Sequence, residues 1–78
     1  MPTVLRVDGY RFFFFSNERQ EPPHIHVERG DGYAKVWLDP PRLAEADDLT
    51  RAELRRIREL VETHEQHFLE RWHGYFGA

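Results

Sequence analysis

The sequence predicts an α+β fold in which a four-stranded antiparallel sheet of two hairpins is followed by one long C-terminal amphipathic helix packed on one sheet face. Two tight-turn signals each separate two short segments rich in β-branched and aromatic residues, which is the pattern of paired hairpins. The last third of the chain repeats apolar residues at steps of three and four, as a helix with one apolar face does. Because 78 residues leave room for one hydrophobic core, we expect a single domain over residues 1–78.

The first hairpin is predicted from residues 3–7 and 10–16. Asp8-Gly9 lies between them, and this pair tolerates the positive φ angles of a type I′ turn. Pro22-Pro23 lacks two backbone donors and cannot lie within a central strand. A third strand is therefore expected to begin at His24.

The second hairpin is predicted from residues 24–28 and 33–38. The turn between them, residues 29–32, contains two glycines that supply the unusual dihedral angles of a tight reversal. Asp39-Pro40-Pro41 is expected to end the fourth strand, and residues 42–49 are expected to form a connector or a short turn of helix.

A capping box predicts the start of the helix, since Thr50 and Glu53 can satisfy the backbone N–H groups left free there. The helix is expected to run to His73, with Gly74 as the left-handed residue beyond its end, leaving Tyr75-Phe76 free to fold back or meet a partner. The charged run 51–62 is interpreted as the solvated helix face. The predicted apolar stripe consists of Leu54, Ile57, Leu60, Val61, Phe68 and Trp72.

Side chains alternate across a strand, so the two sheet faces can be assigned from the sequence. The face expected under the helix carries Leu5, Val7, Tyr10, Phe12, Phe14, Ile25, Val27, Ala34, Val36 and Leu38. The opposite face, which we call the second face, is expected to carry Val4, Arg6, Arg11, Phe13, Phe15, His24, His26, Glu28, Tyr33, Lys35 and Trp37. The Asp8-Gly9 turn is expected to pair Val4 with Phe13. Because one helix cannot cover both faces, the second face is predicted to be exposed in the isolated chain and to bind another molecule.

His24 and His26 are the candidate catalytic residues. Two positions apart on a strand, their Cα atoms lie roughly 6.5–7 Å apart on one side. Two imidazoles can act as general acid and base, the pair needed to cleave RNA through attack of its own 2′-hydroxyl. Around them, phosphate would be held by Arg6, Arg11 and Lys35, and bases would stack on Phe13, Tyr33 and Trp37. The alternative is that both imidazoles are half-exposed members of a binding surface.

A strand His-x-His pair also supplies two nitrogen ligands for a metal ion, but a third ligand is required. The candidate third ligands are Glu28, Asp39, His64 and His67. None stands at a diagnostic spacing, so we expect no metal or other cofactor. His64 falls in the apolar line of the helix and fits a partly buried histidine better than a ligand.

The composition limits the class of protein. The formal net charge of −3 argues against extensive wrapping of nucleic acid, although it is compatible with one basic patch. The absence of cysteine excludes disulfides and thiolate metal sites and favours a reducing compartment. The N-terminal residues lack the features of a signal peptide, and no apolar run reaches the roughly 20 residues of a membrane span. We therefore expect a cytoplasmic protein without a membrane partner.

Four parts of the chain form a recognisable set of motifs: Asp8-Gly9-Tyr10-Arg11-Phe12, Pro22-Pro23-His24-Ile25-His26-Val27, residues 30–40 and Trp72-His73-Gly74-Tyr75-Phe76. Together they resemble the family known as domain of unknown function 4160, small bacterial proteins without a settled activity. Members are often encoded beside a second small protein, an arrangement suggestive of a toxin–antitoxin pair, so the resemblance implies a partner more than a reaction. It marks as motif positions His24, His26, Lys35, Trp37 and Trp72, and Trp72 joins the predicted binding residues for this reason.

Three functional hypotheses follow. The first is a protein-interaction component of a bacterial two-protein, toxin–antitoxin-like module, which binds the adjacent-gene protein or a second copy through the second face or the C-terminal aromatics. The second is a small metal-independent ribonuclease that acts on RNA through His24 and His26. The third is a histidine-based metal-binding protein. The acidic overall charge favours the first, and the cations around the histidines favour the second over the third.

Overall fold

The computed structural model describes residues 3–15 and 20–77, and within these residues an antiparallel sheet is followed by one helix. The elements are β1 Thr3–Val7, β2 Tyr10–Phe13, β3 His24–Arg29, β4 Gly32–Leu38, β5 Pro41–Asp47 and α1 Arg51–Phe76. The strands lie in the order β1-β2-β3-β4-β5, a meander in which each strand pairs with the next along the chain. The predicted α+β class, antiparallel sheet and C-terminal helix are confirmed. The predicted second strand, residues 10–16, is too long, because β2 ends at Phe13 and the described residues Phe14 and Phe15 lie beyond it. Position 16 lies outside the described residues.

The prediction of four strands is wrong, because residues 41–47 form a fifth strand instead of a connector. This strand, β5, is an edge strand that pairs antiparallel with β4 from Leu38↔Pro41 onward. Pro41 is its first residue, a position where a missing backbone donor is tolerated. Every later residue of β5 is exposed. The hydrophobic alternation that identifies half-buried strands is therefore weak in this segment.

The first hairpin has the predicted turn and an unpredicted bulge. Asp8 and Gly9 have φ angles of 52° and 82°, as a type I′ turn requires. Leu5 opposes Phe12, but the next pair is Thr3 with Phe13, because a bulge lies between Thr3 and Leu5. Val4 is thus the extra residue and joins the core beneath the helix. Its predicted pairing with Phe13 on the second face is wrong, since a bulge redirects the side chains of its strand.

The second hairpin forms as predicted, with Arg29 opposite Gly32. Gly30 has a φ angle of 57°, a conformation that glycine adopts without strain. Gly32 has a different role, because a Cβ atom there would lie 2.6 Å from the carbonyl oxygen of Asp48. The chain between β5 and α1 therefore packs directly against the start of β4, which leaves no room for a side chain.

The helix begins at the predicted capping box. The amide of Glu53 donates to the Thr50 hydroxyl at 3.0 Å, and the Thr50 amide donates to the Glu53 carboxylate at 2.9 Å. The bond that the Thr50 amide donates to the carboxylate is the main cause that lowers the pKa of Glu53. Arg56, one turn later, bonds the carboxylate of Asp8 in the first hairpin turn, and this bond raises the pKa of Arg56. The first turns of α1 are thereby fixed to the end of the sheet.

The predicted end of the helix is wrong. Gly74 lies inside α1, which continues to Phe76, and the residue beyond the end is Gly77 with a φ angle of 88°. The Gly77 amide donates to the carbonyl oxygen of His73 at 2.9 Å. The ring of Phe76 packs 4.2 Å from that of Trp72. Packing of the half-buried Phe76 against Trp72 opposes the helix-breaking tendency of Gly74, which is about 1 kcal/mol relative to alanine.

The main core lies between α1 and the predicted sheet face. The helix contributes Ile57, Leu60, Val61, Phe68 and Trp72, and the ring centroids of Phe12 and Phe68 are 5.1 Å apart. The predicted apolar stripe is confirmed, except that Leu54 is only half-buried. No helix among the described residues is long and apolar enough to cross a membrane.

Candidate functional site

The two candidate catalytic histidines lie side by side at the start of β3 and are both buried. Their ring centroids are 5.0 Å apart. His24 is 0% exposed and His26 is 3% exposed, so the expectation of half-exposed imidazoles is wrong. The physical reason is that aromatic side chains of the same chain surround both rings.

His24 is enclosed by the two tryptophans. Its Nδ1 atom lies 2.9 Å from the carbonyl oxygen of Pro22, and because a carbonyl only accepts, this nitrogen carries a hydrogen and donates. The indole ring of Trp72 lies 4.9 Å from the imidazole and that of Trp37 lies 5.6 Å away. The Nε2 atom of His24 is withdrawn from solvent. The Pro22 carbonyl thus holds the His24 imidazole in one orientation, and Trp72 from the helix packs against it.

His26 occupies a box of aromatic rings. Its Nδ1 atom is hydrogen-bonded to the Tyr33 hydroxyl at 2.8 Å. The Phe15 ring meets it edge-on at 4.5 Å, and Phe13 stacks on it at 5.5 Å. Phe13 itself is 3% exposed, so its predicted exposure in the isolated chain is wrong. Phe13 on β2 and Lys35 on β4 are the residues that pair with His26 on β3. Because side chains alternate between the two sheet faces, these paired residues lie on the same face as His26 and help to build the box.

The cations beside the histidines are neutralised within the chain. Arg11 bonds the Glu28 carboxylate at 2.7 Å and lies over the Phe13 ring. Lys35 bonds the Glu21 carboxylate at 2.7 Å and lies 4.7 Å above the Trp37 ring. Both side chains already have anionic and aromatic partners, so an incoming phosphate would have to displace them.

Most of the predicted site residues meet in one continuous group, which we call the histidine cluster. Its members are Arg11, Phe13, Phe15, His24, His26, Tyr33, Lys35, Trp37 and Trp72. Arg6 is exposed and pairs with Arg11 from the neighbouring strand β1, so it lies at the margin of this group. The contribution of Trp72 could not be foreseen by alternation, because it comes from the helix on the other side of the sheet.

The histidine cluster lacks the geometry of a metal centre. Within residues 3–15 and 20–77, no three His, Asp or Glu side chains converge to hold a metal ion. The four candidate third ligands, Glu28, Asp39, His64 and His67, therefore do not complete a site with the histidine pair. Glu28 is instead bound to Arg11.

The chemistry open to the pair is limited by access. A general acid or base must approach within about 3 Å of the proton that it transfers, directly or through one water. In this arrangement the imidazoles contact the rings of Phe15 and Trp72. A polynucleotide would reach the histidines only after these rings move. As it stands, the histidine cluster is a second packed core.

Sequence reasoning missed a groove between α1 and β5, which we call the arginine groove. It encloses about 590 Å³. Its apolar lining is formed by Val36, Leu43, Leu54, Ile57 and Val61. Its charged rim is formed by Arg42, Arg51, Arg55, Arg58 and Glu62. A signal was present, because three of these arginines follow one another at helical steps of four and three, but without β5 they resembled an ordinary solvated face.

The fold and the two sites define a small α+β protein with a five-stranded meander, a helix over one face and an aromatic histidine cluster on the other. The chain belongs to the family described as domain of unknown function (DUF4160), whose family model matches residues 9–73. The resemblance inferred from the sequence is thereby confirmed at the level of the family. No curated protein and no solved structure matches the chain significantly.

Proposed function

We propose that the protein is a protein-interaction component of a two-protein, toxin–antitoxin-like module, and that it binds the small protein encoded beside it. One observation carries this proposal. The candidate catalytic pair is closed inside the chain, whereas two large apolar side chains remain at the surface, Leu43 at 50% exposed and Tyr75 at 47%. Apolar patches rimmed by charged residues are typical of surfaces that bind other proteins, and Leu43 and Tyr75 each lie in a depression that charged residues also line.

The C-terminal aromatics form one such surface. Tyr75 lies in the last turn of α1, with its ring 4.8 Å from Phe76 and 6.4 Å from Phe14. A depression of about 260 Å³ between Phe14 and Tyr75 is rimmed by Glu70 and Arg71. An aromatic ring supported by two others is a rigid anchor that loses little conformational entropy on binding.

The outer rim of the second face adds a further contact region. Phe15, Tyr33 and Trp37 are half-buried, so each presents part of its ring to solvent while the rest packs in the histidine cluster. A partner would thus rest on a surface that is already organised. Pre-organisation of this kind favours binding, because few side chains have to be ordered when the complex forms.

The ribonuclease hypothesis draws less support from the geometry. It requires His24 and His26 to approach a ribose and a phosphate, although both are buried, and it requires Arg11 and Lys35 to exchange carboxylate partners for the RNA backbone. It remains testable in the same experiment. The metal-binding hypothesis has no third ligand near the histidine pair among the described residues.

Co-expression of the tagged chain with the adjacent-gene protein tests the proposal. We expect the two proteins to co-purify and to elute together in size-exclusion chromatography with light scattering. Cellular RNA should stay intact whether the chain is expressed with its neighbour or without it. A wild-type chain that stays monomeric with and without its neighbour would contradict the proposal. RNA loss with the wild-type chain, abolished by His26→Ala, would support the ribonuclease instead.

A further inference from the structure

Within residues 3–15 and 20–77, one helix packs on the sheet and leaves part of it uncovered. Neighbouring strands lie about 4.8 Å apart, so five strands span about 19 Å between the outer two. A helix with its side chains is about 10 Å across. α1 packs mainly against β4 and β5 and less against β3, but the side chains of Arg42–Asp47 on β5 are exposed. A strip of the sheet along β5 is therefore left open to solvent.

The arginine groove occupies this strip. Leu43 on β5 is 50% exposed, and Leu54 on the facing side of α1 is half-buried. Beneath them, Val36, Ile57 and Val61 close the floor and belong to the main core. The groove is thus a continuation of the hydrophobic core that reaches the surface.

The charge of the groove is opposite to that of the chain. Its rim has four arginines and one glutamate, a formal charge of +3, whereas the whole chain has −3. Arg58 bonds Glu62 at 3.3 Å. Arg42, Arg51 and Arg55 have no ion pair with any residue in the described part of the chain. Three guanidinium groups are therefore available to carboxylates from outside.

We propose that the arginine groove docks an amphipathic helix of the partner protein, with an apolar stripe on Leu43 and Leu54 and acidic residues on the arginine rim. The inference deepens the proposed function and rests on it. A helix is the fitting occupant because the groove lies beside α1 on the sheet face that carries the helix, and helices are the elements that cover sheet faces. Its anchors would recur at steps of three and four.

Two other occupants fit less well. Single-stranded RNA is recognised largely by stacking of its bases on aromatic rings, and no described residue that lines the groove is aromatic. A second copy related by two-fold symmetry would bring two arginine-bearing helix flanks together, and like charges repel. An acidic, leucine-bearing helix meets both the charge and the apolar floor.

The test uses a synthetic, fluorescein-labelled peptide about four helical turns long, with leucines on one face and glutamates on both flanks. A second peptide carries lysines in place of the glutamates. Binding to the full chain is measured by fluorescence anisotropy. We expect the acidic peptide to bind at least about tenfold more tightly than the lysine peptide, and its affinity to fall as salt is raised.

Variants then locate the binding surface. Leu43→Glu and Arg55→Glu are expected to weaken binding of the acidic peptide by about tenfold or more each. Leu43→Ser is a milder second variant in case Leu43→Glu lowers stability. Gln66→Glu is the control, because Gln66 is an exposed residue of the same helix outside the groove, and this variant should bind as the wild type does. Circular dichroism confirms that each variant is folded.

Several outcomes would overturn the inference. The first two are failure of the acidic peptide to bind, and binding of that peptide by the Leu43 and Arg55 variants as tightly as by the wild type. The other two are displacement of the peptide by a single-stranded oligonucleotide, and self-association of the chain that depends on Leu43. If the neighbouring protein still co-purifies with Leu43→Glu and Arg55→Glu, the groove is excluded while the proposed function stands. If the acidic peptide binds at the groove but the neighbour never co-purifies, the groove stands and the proposed partner is wrong.

Discussion

Replacement of Gly74 by alanine is expected to stabilise the protein by about 0.5–1 kcal/mol, because alanine loses less backbone entropy than glycine in a helix interior. Gly74 is exposed within α1, and a Cβ atom there would meet nothing within 4 Å. The gain therefore carries no steric penalty. For a domain of this size it corresponds to an increase in Tm of about 2–8 °C.

The sign of this effect separates two accounts of the C-terminus. If the helix ended at His73 with Gly74 in the left-handed conformation, alanine would destabilise the protein by about 1 kcal/mol or more. Urea unfolding followed by far-ultraviolet circular dichroism measures the difference. Gly77→Ala is the matched control and should be destabilising, since Gly77 has a φ angle of 88°. A destabilised Gly74→Ala variant would refute the helix end described here, and with it the placement of Tyr75.

Four further predictions concern the two packed cores and the helix start. Trp72→Ala should lower the free energy of unfolding by about 3–5 kcal/mol, a large part of the stability of a small domain, and should make His24 reactive toward diethyl pyrocarbonate, as read by peptide mass spectrometry. Phe13→Ala should cost about 3 kcal/mol in the isolated chain, measured by urea unfolding, because its ring is buried against His26 rather than exposed for a partner. Thr50→Ala should cost about 1 kcal/mol through loss of the cap. The pKa of Glu53 is lowered in the folded state, so its contribution to stability is present above the ordinary value of 4.5 and is lost as the pH falls through the folded value. Urea midpoints between neutral and acid pH should therefore decrease less steeply in Glu53→Gln.

Matched variants make these predictions specific. Trp37→Ala removes an indole ring that is only half-buried and should cost less than Trp72→Ala without exposing His24 to the same extent. Thr63→Ala changes an exposed threonine in the middle of α1 and should be neutral or slightly stabilising, because alanine is the better helix former. If His24 were modified equally in the wild type and in Trp72→Ala, the histidine cluster would be open in solution. If Thr50→Ala and Thr63→Ala unfolded at the same urea concentration, the capping box would contribute nothing.

The sequence predicted the elements whose causes are local. Asp8-Gly9 adopts the type I′ turn because few other dipeptides tolerate two positive φ angles, and Thr50 with Glu53 caps α1 because both partners lie within one turn. The residues expected beneath the helix are largely those found there, since alternation along a strand and a period of 3.6 along a helix are properties of the backbone itself. The bulge at Val4 escaped prediction because a single extra residue leaves no mark in a short apolar run.

β5 shows where such patterns fail. A strand is recognised from its sequence when one face is buried, and the exposed edge strand Pro41–Asp47 has no buried face to impose alternation. Its proline and its charges also resemble a loop, although both are common on sheet edges. The arginine groove depends on β5, so the groove was lost with the strand. The arginines can be seen in the sequence, but the groove that they line cannot be predicted without β5.

The histidine pair was predicted from sequence alone, because residues two apart on a strand share a face. Its neighbours on the second face were predicted as well, because strand pairing brings Phe13 and Lys35 beside His26. The tertiary structure decided that the pair is closed. Trp72 reaches His24 from a helix nearly fifty positions away in the chain, and such a contact depends on where the last turns of α1 pass over the sheet. Local propensity determines which elements form and which side chains they present, whereas the path of one element over another is set by the packing of the whole core. For this protein that packing decides which surfaces stay open, and it leaves the groove beside β5 open while it closes the histidines.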